Sequence, residues 1–268
     1  MKHPGNHVLR EEAAFSSNFF ESDRILQDYL NKYLTPHSMN YTRDKLELLG
    51  SDAAIVMDSL SLDADKNSPE LIKQTPFGDP IDYIQFHPSY WIMMDIAASS
   101  EMFYVKYDPE LRKKFVTDRQ KLGFAAGQLF AMSELGIYCP LCMTDGAAYV
   151  IDRHASEKDR KCLIPKLSSR LGEELFTGAM YLTEKAGGSD VGANRTEATP
   201  VRDDIYKLNG EKWFCSNANA DVILVLARTG PLEEGTRGLS LFLVEKVLEN
   251  GKHHCSRHTS GHSKNGCP

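Results

Sequence analysis

The feature that most constrains this chain is a change of hydrophobic period near Glu174. Before it, apolar residues recur at helical spacing; after it, short apolar runs are divided by turn residues. Ile25, Leu26, Tyr29, Leu30, Tyr33 and Leu34 share one helical face, and Pro36 is expected to stop that helix. Ser68-Pro69-Glu70 and Asp108-Pro109-Glu110 each place a capping side chain before a proline at the first helical position. The second of these is expected to open a long helix through Leu111, Phe115, Leu122, Ala126, Leu129 and Met132, closing near Gly136. His87-Pro88-Ser89 introduces an apolar helix over 90–104, and Ser156 caps a short one that Pro165 ends. Past Leu175, residues 175–182 read as a strand, 206–214 as a hairpin turning at Asn209-Gly210, and 222–228 and 239–244 as two further strands. The expected fold class is α+β: an N-terminal all-α helical domain over 1–174, then a small antiparallel β-sheet or barrel domain over 175–248, with an atypical unstructured tail over 249–268.

Composition narrows the functions open to such a chain. Its 268 residues suggest two domains, and a net charge of −6 argues against an extensive nucleic-acid footprint, which needs a basic face. No apolar run approaches the ~18 residues of a spanning helix, and the N-terminus lacks an apolar signal core. Six cysteines are too sparse for a disulfide scaffold, so a reduced, cytoplasmic protein is expected, without a membrane segment.

Two clusters carry chemistry. Tyr181-Leu-Thr-Glu-Lys-Ala-Gly-Gly-Ser-Asp-Val191 ends a strand with a hydroxyl and a carboxylate, then lets backbone pass close to a partner through two glycines. Exposed N–H groups of such a loop suit a phosphate or a flavin edge, although a polar turn leaving a strand has the same composition. Lys212-Trp-Phe-Cys-Ser-Asn217 sets two aromatics beside a hydroxyl, suited to lying along a planar ring; alone, it reads more readily as a core strand. Cys139-Pro-Leu-Cys142 lacks a second pair, and the Cys255, His258, His262 and Cys267 spacing sits in a tail without apolar pattern, so neither is assigned a metal. No nucleophile–base set is legible among the Ser and His residues.

Taken together and in order, the two clusters resemble the middle β domain of the FAD-dependent acyl-CoA dehydrogenases. Leu182, Thr183, Glu184, Gly187, Gly188, Ser189, Asp190 and Ala193 fit the family signature, while Tyr181 stands where a small residue is usual. Trp213-Phe214-Cys215-Ser216 is similar to the second flavin-facing strand. Within the family, Thr183-Glu-Lys-Ala-Gly-Gly-Ser-Asp190 and Phe86-His-Pro88 resemble the alkylation-response, AidB-like branch. The resemblance implies FAD as cofactor and an acyl-CoA substrate that loses an α-proton to a carboxylate and a β-hydride to the flavin. It further implies that Thr183 and Ser216 bond the ring, that Leu182, Trp213, Phe214 and Cys215 line it, and that Gly188 and Ser189 approach the pyrophosphate or the acyl-CoA. The boundary between the two domains is where the flavin is then expected. The branch also implies an association with DNA, and the family a homo-oligomer. No glutamate here can be carried over as the base, which family members hold in a C-terminal helical bundle. The text after about Gly251 instead holds four of the nine histidines and no aliphatic residue, so a truncated, poorly active dehydrogenase is expected.

Overall fold

A computed structural model describes residues 18–246. The 249–268 tail, with its Cys and His spacing, lies outside these residues. The described chain forms two compact units. One gathers residues 18–72, 84–139 and 157–175; the other gathers 73–83, 140–156 and 176–246.

The first unit is helical. Its elements are α1 (Phe19–Ser22), α2 (Arg24–Tyr33), α3 (Pro36–Asp52), a π-turn (Ala53–Met57) and α4 (Asp58–Lys66), then α5 (Pro88–Ser99), α6 (Tyr104–Tyr107), α7 (Pro109–Lys114), α8 (Arg119–Ser133) and α10 (Glu157–Leu167). Side chains start most of these helices. Asp23 accepts from the Leu26 N–H to cap α2, Thr35 from Ser38 to cap α3, and Asp108 from Glu110 and Leu111 to cap α7. Leu30, Leu46, Met57, Met93, Leu122, Leu129 and Phe130 form a core closed to solvent.

Several boundaries differ from the sequence reading, each for a local reason. Pro36 does not merely stop α2; it is the first residue of α3, where its missing N–H costs nothing. The helix opened by Asp108 breaks at Phe115 before α8 begins, and α8 ends at Ser133, with Glu134 as its C-cap, rather than near Gly136. The Glu134 carboxylate accepts from the Ile137 N–H at 3.0 Å, so a new helix, α9 (Leu135–His154), starts at once and runs through Pro140. Pro165 likewise lies inside α10. Ser68-Pro69-Glu70 opens no helix: β1 (Glu70–Gln74) pairs with β2 (Pro80–Gln85), around a turn in which the Thr75 hydroxyl accepts from the Phe77 and Asp79 N–H groups.

The second unit is built on a five-stranded sheet of β3 (Gly178–Tyr181), β4 (Glu197–Arg202), β5 (Ile205–Asn209), β6 (Val222–Arg228) and β7 (Leu239–Glu245). The order helices first, sheet second holds. The sheet is mixed, however, and not a closed barrel. β6 is its spine: β7 runs antiparallel along it from Val222↔Glu245 to Arg228↔Leu239, while β3 runs parallel from Gly178↔Val222 to Tyr181↔Val225. The long chain between β3 and β6 frees their relative direction from any hairpin constraint. Six of the seven β6 residues are buried, which explains the unbroken apolar run Val222-Ile-Leu-Val-Leu-Ala227. Gly178 starts β3 where a side chain has no room: a Cβ there falls 2.7 Å from the Ala147 methyl. Its N–H donates to the buried Thr144 hydroxyl on α9 at 2.9 Å.

The hairpin turn is also displaced. β4 and β5 pair antiparallel and turn at Asp203-Asp204, with Asp203 at φ 44°, a left-handed position that Asp tolerates. Gly210 spends its freedom elsewhere. At φ 155° it passes so close to Thr196 that a Cβ falls 2.5 Å from the hydroxyl.

Candidate functional site

β3 ends at Tyr181, and the chain leaves the sheet through Leu182, Thr183 and Glu184. Glu184 is buried and fully engaged. One carboxylate oxygen accepts from the Thr196 N–H at 2.9 Å, the Thr196 hydroxyl at 2.6 Å and the Lys212 ammonium at 2.9 Å; the other accepts from the Arg195 N–H at 2.7 Å. Burial by itself raises this carboxyl's pKa, but the Lys212 ammonium, the Thr196 hydroxyl and the two backbone donors outweigh it and hold it down to about 2. Lys212 also reaches the Leu182 carbonyl at 3.2 Å. One residue on, the Trp213 N–H donates to the Thr183 carbonyl at 2.9 Å. The two sequence clusters, about thirty residues apart, are thereby held side by side.

The expected site residues then distribute as follows. The Thr183 hydroxyl is half-buried and bonds no described residue. Gly188 lies over it, since a Cβ there falls 3.1 Å from the Thr183 methyl. Ser189 and Ser216 are exposed. Trp213 and Phe214 present 43% and 79% of their surface, large fractions for aromatics, with rings edge to face at 5.6 Å. Leu182 is exposed at its side chain, but its carbonyl is taken by Lys212 and by the Asn194 amide at 2.7 Å. Cys215 turns the other way and packs on the sheet core of Ala179, Tyr181, Ala220, Ile223 and Val225; burial pushes its thiol up.

In one respect the geometry corrects the sequence reading. Residues 213–216 are not a strand of the sheet. Phe214 sits at φ 57° and Asn217 at 54°, so the segment bends twice through the left-handed region. For a bulky residue such as Phe214 this is strained backbone, of the kind that persists where the surroundings demand it.

Other residues that support the site carried no sequence signal. Arg228 ends β6 with its guanidinium buried and donating to four backbone carbonyls: Gly192 at 2.6 Å, Asn194 at 2.9 Å, Pro231 at 3.1 Å and Gly235 at 3.2 Å. It ties the 192–194 turn that follows the signature to the 231–235 turn that precedes β7. Asn194 is buried, and its amide oxygen has no partner among the described residues.

Residues 11–171 match the family described as the adaptive response protein AidB N-terminal domain, and 179–267 match the acyl-CoA dehydrogenase middle domain. The chain belongs to the AidB branch of the acyl-CoA dehydrogenase family. Acyl-CoA dehydrogenase family member 11 of Caenorhabditis elegans is 31% identical over 242 residues, covering 87% of this chain and 39% of that protein. AidB of Escherichia coli (strain K12) is 28% identical over 250 residues, covering 90% and 44%. Among solved structures, the apo form of Bd2924 superposes with a TM-score of 0.80 at 31% identity, covering 88% of this chain and 47% of that one. The C. elegans ACDH-11 structure, in complex with C11-CoA, superposes with a TM-score of 0.78 at 27% identity, covering 94% and 45%. This acyl-CoA dehydrogenase-family chain thus spans less than half the length of these relatives. The match to the middle domain continues to residue 267, beyond the point near Gly251 where family-like text was expected to end.

Proposed function

We propose that this chain supplies the flavin-holding face of an FAD-dependent dehydrogenase acting on acyl-CoA thioesters. The observation that carries the reading is the 2.9 Å bond from the Trp213 N–H to the Thr183 carbonyl, which joins the two signature clusters into one face. A planar ring with a polar edge needs unspent donors beside apolar surface. The face offers both: the unengaged Thr183 hydroxyl and exposed Ser216, next to the open faces of Trp213 and Phe214. The residues present therefore fit the cofactor. Bound FAD supplies hydride acceptance from the thioester β-carbon.

In this assignment Thr183 and Ser216 donate to the ring edge, Trp213 and Phe214 cover it, and Leu182 and Cys215 border it through their main chain. Gly188 and Ser189 bring bare backbone toward a phosphate. Glu184 takes no proton from substrate: four donors stabilise its charged form and make it a poor base at neutral pH. The chain alone is accordingly expected to turn over slowly. The proposed division keeps a helical domain over 1–174 and a flavin-facing domain over 175–248, in a cytoplasmic homo-oligomer. The net charge of −6 argues against an extensive DNA footprint on this chain.

The test is the visible spectrum of the purified chain after incubation with FAD and gel filtration, followed by addition of a saturated acyl-CoA. Retained flavin bands, bleached slowly or not at all by the thioester, support the reading. A colourless chain that shifts DNA with steep salt dependence contradicts it.

A further inference from the structure

Beside Glu184 the second unit contains a cavity of about 300 Å³ that the proposed flavin face does not use. Thr183, Gly188, Ser189, Trp213 and Ser216 do not line it; Lys185, Arg195, Glu211 and the Gly210 backbone do, over a floor of Glu184 and Thr196. Its electrostatics can be counted group by group. The floor carboxylate is paired with Lys212 and also accepts from the Arg195 and Thr196 N–H groups and the Thr196 hydroxyl. On the rim, Lys185 pairs with Glu211 at 2.7 Å, with both side chains more than half exposed. Arg195 has neither an ion pair nor a side-chain hydrogen bond among the described residues. One positive charge is left over at the mouth of a concave site, in a chain that is acidic as a whole.

We infer that this cavity binds an oxyanion of phosphate size, held by the Arg195 guanidinium and by Lys185 released from Glu211. A guanidinium presents paired donors in the geometry that phosphate and carboxylate oxygens accept. The Lys185–Glu211 pair is a weak obstacle, because exposed ion pairs contribute little and their lysines exchange partners readily. The floor stays open because Gly210 passes against Thr196 without room for a side chain, and the Glu184 charge is balanced by the adjacent Lys212 ammonium. The inference does not depend on the flavin assignment. It does, however, provide a reporter beside it: the Lys185 ammonium lies 5.1 Å from the Trp213 ring, so a lysine that moves to an anion alters that indole's surroundings.

The experiment uses the full chain carrying Trp91→Phe, which leaves Trp213 as its single tryptophan. Its fluorescence is titrated with inorganic phosphate and separately with ribose 5-phosphate, at ionic strength held constant with chloride. A saturable response is expected, weakened at least tenfold by Arg195→Gln and tightened several-fold by Glu211→Gln, which frees Lys185. The tighter of the two probes tells a free ion from a phosphomonoester carried on a larger ligand. A response that Arg195→Gln leaves unchanged, or that chloride alone reproduces, overturns the inference. FAD titration of Arg195→Gln separates the two readings: unchanged FAD affinity with lost phosphate response confirms a second site, whereas parallel loss of both overturns its independence.

Discussion

Glu184 shows how much one side chain of the signature does within the protein itself. Its carboxylate ties the end of β3 to the Arg195–Thr196 backbone and to Lys212, so the spacing of the two clusters depends on it. Because its folded pKa is depressed, from 4.5 to about 2, its contribution to stability is complete above 4.5 and is lost as pH falls through that window toward 2. The amount is on the order of 3 kcal/mol. Glu184→Gln should flatten the acid limb of the stability curve between those limits, measured by urea unfolding at stepped pH; an unchanged limb would place the acid sensitivity elsewhere. Lys212→Met strands the buried carboxylate and should cost about 3–5 kcal/mol at neutral pH in the same assay. The sequence shows Glu184 and Lys212 as members of two motifs but not as partners, because a contact across about thirty residues leaves no local pattern. Thr183, Trp213 and Ser216 can be proposed from sequence for the opposite reason: residue type and order within each motif suffice to single them out.

Among the elements, those with a strong period or a strong cap were legible, and those decided by distant contacts were not. β6 follows its apolar run closely, whereas α2 keeps its span but buries only Leu26 and Leu30 of its apolar residues, leaving Ile25, Tyr29 and Tyr33 exposed. The Asn209-Gly210 turn failed because Gly210 is needed for its close pass at Thr196, and the reversal moved to Asp203-Asp204. α9 was hidden by Gly136 and Pro140, although Glu134 caps it and Thr144 within it serves β3. Thr144→Val keeps the shape but leaves the buried Gly178 N–H without its acceptor, and should cost about 1–3 kcal/mol in thermal or denaturant unfolding. Arg228 makes a separable prediction. Arg228→Met removes donors from four loop carbonyls, so hydrogen exchange should quicken over 190–194 and 231–238 while the β6–β7 ladder stays protected. Uniform loss of protection across the sheet would mean that Arg228 supports the fold itself rather than the loops.

At the scale of the molecule, a helical unit and a mixed-sheet unit are assembled from a chain that spans less than half the length of its curated relatives. The order of these parts was legible in the hydrophobic period; the interleaving of chain segments between the units was not, since it depends on where residues 73–83 and 140–156 pack. For the whole molecule, the central proposal is that Thr183 and Trp213, joined by a backbone hydrogen bond, form one face built for a flavin ring. The most direct test is a fluorescence titration of FAD with the full chain and with Thr183→Val, which keeps the side chain's shape and deletes its hydroxyl. Saturable binding by the parent chain, weakened in the variant by about 1–3 kcal/mol, is the predicted result. Equal affinity in both proteins, or no binding by the parent chain, would contradict it.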